Sequence, residues 1–221
     1  MTRIHALILD TESPEFISWQ EVYREHGVEL SLSTWGDHVI GTSADNFDLY
    51  AHLEDQIGYT VDRDAIEAKR WPRHMALIEE QSIMPGVERA IADARRLDLK
   101  LGIASTSSCG WVEGHLTRLG LLQHFDAVRC ADHVERVKPA PDLYLAALDA
   151  LDVAANEALA LEDSPFGVMA AKRAGLFCVA VPNVLTTHFD LSLADMRLES
   201  LDSTRLEDLL SRFENTHATT S

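Results

Sequence analysis

The sequence predicts an α/β protein in which a parallel sheet, covered by helices on both faces, is interrupted near its start by an all-helical insert. Three observations carry this expectation. From "LKLGIAST" to "FCVAVPN", short β-rich apolar runs alternate with helix-like segments, and repetition of that kind builds parallel sheets with helices packed on them. From Pro14 to about Gln81 the periodicity is helical only. The chain opens with a strand-like run, Ala6-Leu7-Ile8-Leu9, which shares the first texture but is separated from the rest of it by the second. The expected division is a core formed by 1–13 and 83–221, with a helical insert at 14–82.

The elements follow in order. The opening strand ends on Asp10. Ser13 as N-cap and Pro14 at the first helical position predict a helix whose apolar stripe is Phe16, Trp19, Val22 and Tyr23, ending at Gly27. Ser43 is placed to cap the next helix, with Phe47, Tyr50, Leu53 and Ile57 on one face and Gly58 past its end. A third helix is expected from about Asp62 to Glu80, broken or bent at Pro72. After "MPGV" the strand and helix runs alternate through "GWVEGHLTRLGL", "FDAVRC", "PDLYLAALDALD", "ALALEDS" and "PFGVMAAKRAGL". The tail "ENTHATTS" has no periodicity and reads as frayed.

Composition narrows the function. A chain of 221 residues suits one core with a smaller insert, and 46% hydrophobic with 25% charged residues is a soluble composition. The net charge of −17 opposes a nucleic-acid backbone or an anionic membrane as partner. No apolar run approaches the ~20 residues of a membrane helix, and the first run is short for a secretory signal. Cys109, Cys130 and Cys178 form no CxxC pair, and this odd count predicts reduced thiols in a cytoplasmic protein. The ten histidines show no metal spacing. His26, His38, His52 and His74 read as surface or packing residues of the insert, and Trp19, Trp35 and Trp71 as its core.

Parallel sheets bind ligands beyond the carboxyl ends of their strands, which selects Asp10, Ser105, Lys138, Glu162 and Asp163. The adjacent carboxylates of "LEDS" suit a hard cation such as Mg²⁺, and equally suit the N-terminal end of a helix. Ser105 and Thr106 offer hydroxyls and N–H groups to a phosphate, or simply form a strand-to-helix turn. Lys138, held by Pro139 and Pro141, suits neutralisation of phosphoryl charge, and equally suits a solvated surface position.

Taken together, "GIASTSS", "VKPAPDLYLAAL", "LEDSPFGVMAAKRAGL" and "MPGV" resemble the haloacid dehalogenase-like hydrolases. More narrowly they resemble the branch of sugar-phosphate phosphatases and phosphomutases that carry a helical cap in a Rossmann-like core. The resemblance implies that Ser105, with Thr106 beside it, holds a phosphoryl group and that Lys138 links that group to the nucleophile. It implies Mg²⁺ on Glu162 and Asp163, directly or through water, and a small phosphorylated metabolite as substrate for a monomer or homodimer. Such enzymes pass through an aspartyl-phosphate, with a second Asp two residues on as general acid and base.

The first motif departs from that pattern, which runs Asp-x-Asp-Gly, a short turn, then a segment like "DTE". One alignment makes Asp10 the later Asp at the cap junction, with roughly seven residues and up to ~25 Å of chain reach deleted. The other makes Asp10 the nucleophile and a metal ligand, with Glu12 as a longer general acid. The acidic pair speaks against dehalogenation. Glu15 and Ala44, where similar mutases carry His and Arg, speak against mutase action. Thr42 and Ser43 are further candidates for the cap side of the site. The implied function is Mg²⁺-dependent hydrolysis of a small phosphomonoester, for instance a sugar phosphate. The alternative is an impaired relative that serves as a phosphate- or Mg²⁺-binding or interaction module.

Overall fold

The computed structural model describes residues 7–40 and 47–218. Thr42, Ser43 and Ala44 therefore lie outside the described residues, as does Ala6. The first half is helical: α1 (Glu12–Glu25), α2 (Leu32–His38), α3 (Leu49–Ile57) and α4 (Arg63–Glu79). Helix α1 starts two residues earlier than Ser13 as N-cap would set it. Asp10, not Ser13, closes its open end: Ser13 N–H donates to Asp10 Oδ1 at 2.9 Å and Ser13 Oγ–H to Oδ2 at 2.6 Å. A carboxylate is the stronger partner for the unpaired N–H groups and positive end of a helix. Pro14 falls in the first turn, where its missing N–H costs nothing.

Helix α2 was not legible, because its seven residues bury only Trp35. Helix α3 is capped by Asp48, whose side chain accepts from Tyr50 N–H and Ala51 N–H, and it ends at Gly58 as expected. Helix α4 starts after the Asp62 cap and runs unbroken through Pro72. Pro72 and Ala68 are both exposed, so the carbonyl that loses its partner faces water. Phe16, Trp19, Tyr23, Trp35 and Leu53 form the apolar cluster of this half, and Leu185 packs with them. Trp71 is not part of it: it is 45% exposed.

The second half holds five helices among the described residues: α5 (Val87–Arg96), α6 (Cys109–Arg118), α7 (Asp142–Leu151), α8 (Pro165–Arg173) and α9 (Leu206–Ala218). Between them run β1 (Gly102–Ala104), β2 (Ala127–Arg129), β3 (Leu159–Glu162), β4 (Phe177–Ala180) and β5 (Met196–Arg197). Strands β1 and β2 pair in parallel, and β3-β4-β5 form a second parallel sheet. Alternate residues feed two separate cores. Leu159, Leu161, Phe177 and Val179 face the cluster shared with α5, α6 and α9. Ala160, Cys178 and Ala180 face the one shared with α7 and α8. A sheet buried on both faces is the expected architecture. The tail departs from expectation, since α9 continues through "ENTHA".

The opening segment departs as well. Leu7, Ile8 and Leu9 are buried in the same cluster as Ile103 and Leu161, but they form no strand. Ile8 instead accepts a hydrogen bond from Met84 N–H at 2.7 Å. Leu7, Leu101, Leu159 and Leu161 line a cavity of about 30 Å³. The returning chain turns at Gly86 with φ 84°, where a Cβ would strike the Leu201–Asp202 backbone at 2.4 Å. No helix of the described residues is long and apolar enough to cross a membrane.

Candidate active site

Glu162 is the hub of the site. It ends β3, is wholly buried, and its Oε1 accepts from Lys138 Nζ at 2.9 Å and from the Tyr144 hydroxyl. Lys138 Nζ also donates to the Ala104 carbonyl at the end of β1, at 2.9 Å, and lies 4.7 Å from the centre of the Tyr144 ring. One cation thus ties together the carboxyl ends of strands from both sheets. Burying such a pair is tolerable only when hydrogen bonds satisfy both partners; Ala104 and Tyr144 supply them here. Lys138 is followed by a cis peptide bond to Pro139.

The "LEDSPFG" run arranges the rest. Ser164 caps α8 by accepting from Gly167 N–H, and Pro165 opens the helix. Gly167 is required, since a Cβ there would lie 1.8 Å from Glu162 Oε2. Asp163, 4% exposed, accepts from Asn183 Nδ2 at 3.3 Å. Asn183 is fixed in turn by the N–H groups of Leu185 and Thr186, which donate to its Oδ1. Ser105, 1% exposed at the end of β1, donates its N–H to the Arg129 carbonyl, and its Oγ accepts from Ser107 N–H. Thr106 follows, half-buried.

Sequence reading missed Tyr144 and Asn183. Asn183 had a signal, because it follows the end of β4, where ligands bind to such sheets. Tyr144 had none beyond its place near Lys138. Asp10 and Glu12 sit at the start of α1, with both Asp10 oxygens on Ser13. Among the described residues, Asp10, Glu162 and Asp163 do not gather their oxygens as a three-ligand group.

A hard cation nonetheless fits the donor set in part. Mg²⁺ needs only one or two carboxylates, keeps several waters and takes phosphate oxygens. Asp163 supplies one carboxylate, held by Asn183, while Glu162 Oε1 is committed to Lys138 and Tyr144.

Glu15 and His74 are among the groups on the helical side with shifted pKa values. Burial raises the Glu15 carboxyl, with Arg70 opposing and Glu67 adding to the rise. Burial lowers His74 to about 4, reinforced by Arg70. Neither His74 ring nitrogen has a hydrogen bond of normal geometry, although the Thr11 backbone beside the site lies close enough to pull the value slightly up.

The model of the haloacid dehalogenase-like hydrolases matches residues 6–181. The chain belongs to that family. It is 45% identical to the protein YhcW of Bacillus subtilis (strain 168), over 92% of each chain. It is 30% identical to the validoxylamine A 7'-phosphate phosphatase of Streptomyces hygroscopicus subsp. limoneus, over 90% of this chain and 91% of that one. Among solved structures it is similar to CbbY from Rhodobacter sphaeroides in complex with phosphate, at 28% identity and a TM-score of 0.75. That match covers 94% of this chain and 96% of the other. Membership of the family accounts for the parallel, helix-covered core.

Proposed function

We propose that this haloacid dehalogenase-like protein is a phosphatase of a small phosphomonoester, with a sugar or polyol as the phosphate carrier. The observation that carries the reading is the lock of Lys138 between Ala104 and Glu162, beside Ser105. It fixes a cation next to the strand end that carries the Ser105 hydroxyl before any ligand arrives, which is what stabilising phosphoryl charge requires. Ser105 and Thr106 bind the phosphate oxygens, Lys138 balances their charge, and Asp163 directly follows Glu162 at the end of β3. Asp163, with water, would hold Mg²⁺, which would supply further charge neutralisation. The helical segment 14–82 serves as the cap that selects the carrier. The phosphatase name of the Streptomyces relative and the phosphate in CbbY support the assignment.

Asp10 is the carboxylate available for attack at the first apolar segment, and it must leave Ser13 to act. That same contact favours a second reading, a phosphate-binding module with impaired turnover.

Hydrolysis of an aryl phosphate with and without Mg²⁺, beside inorganic phosphate binding by calorimetry, separates the two. The expected result is Mg²⁺-dependent turnover that disappears in Ser105→Ala and in Asp10→Asn. Phosphate binding that depends on Ser105 without any turnover establishes the binding module. Absence of both binding and turnover removes both readings.

A further inference from the structure

Three metal-binding side chains converge away from the Lys138–Glu162 centre. Cys109 is the first residue of α6, Cys130 follows β2, and His133 ends a single 3₁₀ turn. Their ligand atoms all lie within 4.8 Å of one another. Cys109 Sγ is 3.4 Å from His133 Nδ1, and the Cys130 sulfur lies within 4.8 Å of both. Around a tetrahedral Zn²⁺, bonds of about 2.3 Å to sulfur and 2.0–2.1 Å to nitrogen put neighbouring ligand atoms roughly 3.5–3.8 Å apart. The cluster is close to that spacing already.

Its chemistry is selective. Two sulfurs and one imidazole are donors for Zn²⁺ and other borderline-soft ions, not for Mg²⁺ or Ca²⁺. The cluster is also graded from inside to outside: Cys130 is buried, Cys109 half-buried and His133 exposed, which leaves an approach for an ion and a position for water. Asp132, with its Oδ2 held at 2.6 Å by the Cys109 N–H, adds negative charge at the rim. His133 Nδ1 now accepts from Cys130 N–H at 3.1 Å, a bond that nitrogen exchanges for the ion when it binds.

We propose that Cys109, Cys130 and His133 form a binding site for Zn²⁺, with water in the fourth position. On binding, the two thiols release their protons to solvent, two S–Zn bonds and one N–Zn bond form, and no redox change occurs. The ion joins the start of α6 to the loop after β2. Those segments are already linked by Ser105 N–H to the Arg129 carbonyl and Ala131 N–H to the Ser107 carbonyl. The site does not depend on the phosphatase reading, because it shares no side chain with that centre.

The test uses the full chain under a phosphine reductant with Co²⁺ as probe. The expected result is one bound equivalent with thiolate-to-cobalt charge-transfer absorption and tetrahedral d–d bands, both removed by Zn²⁺. His133→Asn, at an exposed position, and Cys109→Ser should each weaken binding by more than about tenfold. Asp163→Asn should leave the spectrum unchanged. If Cys109→Ser fails to fold, His133→Asn decides. Co²⁺ bound without charge-transfer absorption, charge-transfer bands that survive His133→Asn at full affinity, or no cobalt bound at all would each overturn the site.

Discussion

Lys138 and Glu162 form a 2.9 Å ion pair in which the two side chains are 1% and 0% exposed. Both charges have left water, so each depends on the other and on the Ala104 carbonyl and Tyr144 hydroxyl. Removing one partner strands the other. Lys138→Met is expected to lower unfolding free energy by ~3–5 kcal/mol, read from the midpoint of urea denaturation at constant slope. A loss under ~1 kcal/mol would mean that the pair is not buried as found.

Gly167 makes the same point through shape. A methyl group there would occupy the place of Glu162 Oε2, and what it strikes is the carboxylate itself, packed under the first turn of α8. Gly167→Ala must therefore push Glu162 off Lys138 or shift the helix. Overpacking of this kind costs ~1–3 kcal/mol, and inorganic phosphate binding should weaken with it. Calorimetric titration of phosphate into the variant checks this. Unchanged stability and binding would show that the helix yields freely.

Some of this was legible in the sequence. Strand ends carrying Ser105, Lys138, Glu162 and Asp163 follow from alternation and from where parallel sheets hold ligands. The two-sided core follows from apolar runs such as "ALAL". Other features were hidden because they depend on distant partners. Nothing local marks Tyr144 as the partner of Glu162, eighteen positions away in sequence. The Cys109–Cys130–His133 group has no motif spacing, since a strand and a helix bring it together. The start of α1 was misread for the opposite reason. Ser13 and Pro14 are a good local signal, but Asp10 three residues earlier is a better acceptor.

That cap yields its own prediction. If Asp10 serves α1 in the resting fold, Asp10→Ala should cost ~1 kcal/mol. Asp10→Asn keeps an oxygen for Ser13 N–H and should cost less than ~0.5 kcal/mol, as Asn and Asp cap comparably. Thermal unfolding of the two variants side by side measures the difference. Equal losses, or none in either, would show that the Asp10–Ser13 contacts do not hold the helix.

His74 predicts a pH dependence. It is 3% exposed, packs among the Trp71 and Trp111 rings, and faces Arg70, Glu67 and His115. Burial and Arg70 hold its pKa near about 4, against 6.5 for the unhindered group. The unfolded chain therefore binds a proton that the folded chain refuses between those values. Stability attributable to His74 is complete above pH ~6.5, falls as the pH drops, and stops falling below about 4. The size is at most roughly 3 kcal/mol, and less to the extent that water screens the ring. His74→Phe keeps an aromatic ring and removes the titration. Urea midpoints taken from pH 7 to pH 4 should fall less steeply in His74→Phe than in the parent chain. Parallel curves would place the acid sensitivity elsewhere and show that His74 accepts its proton without unfolding.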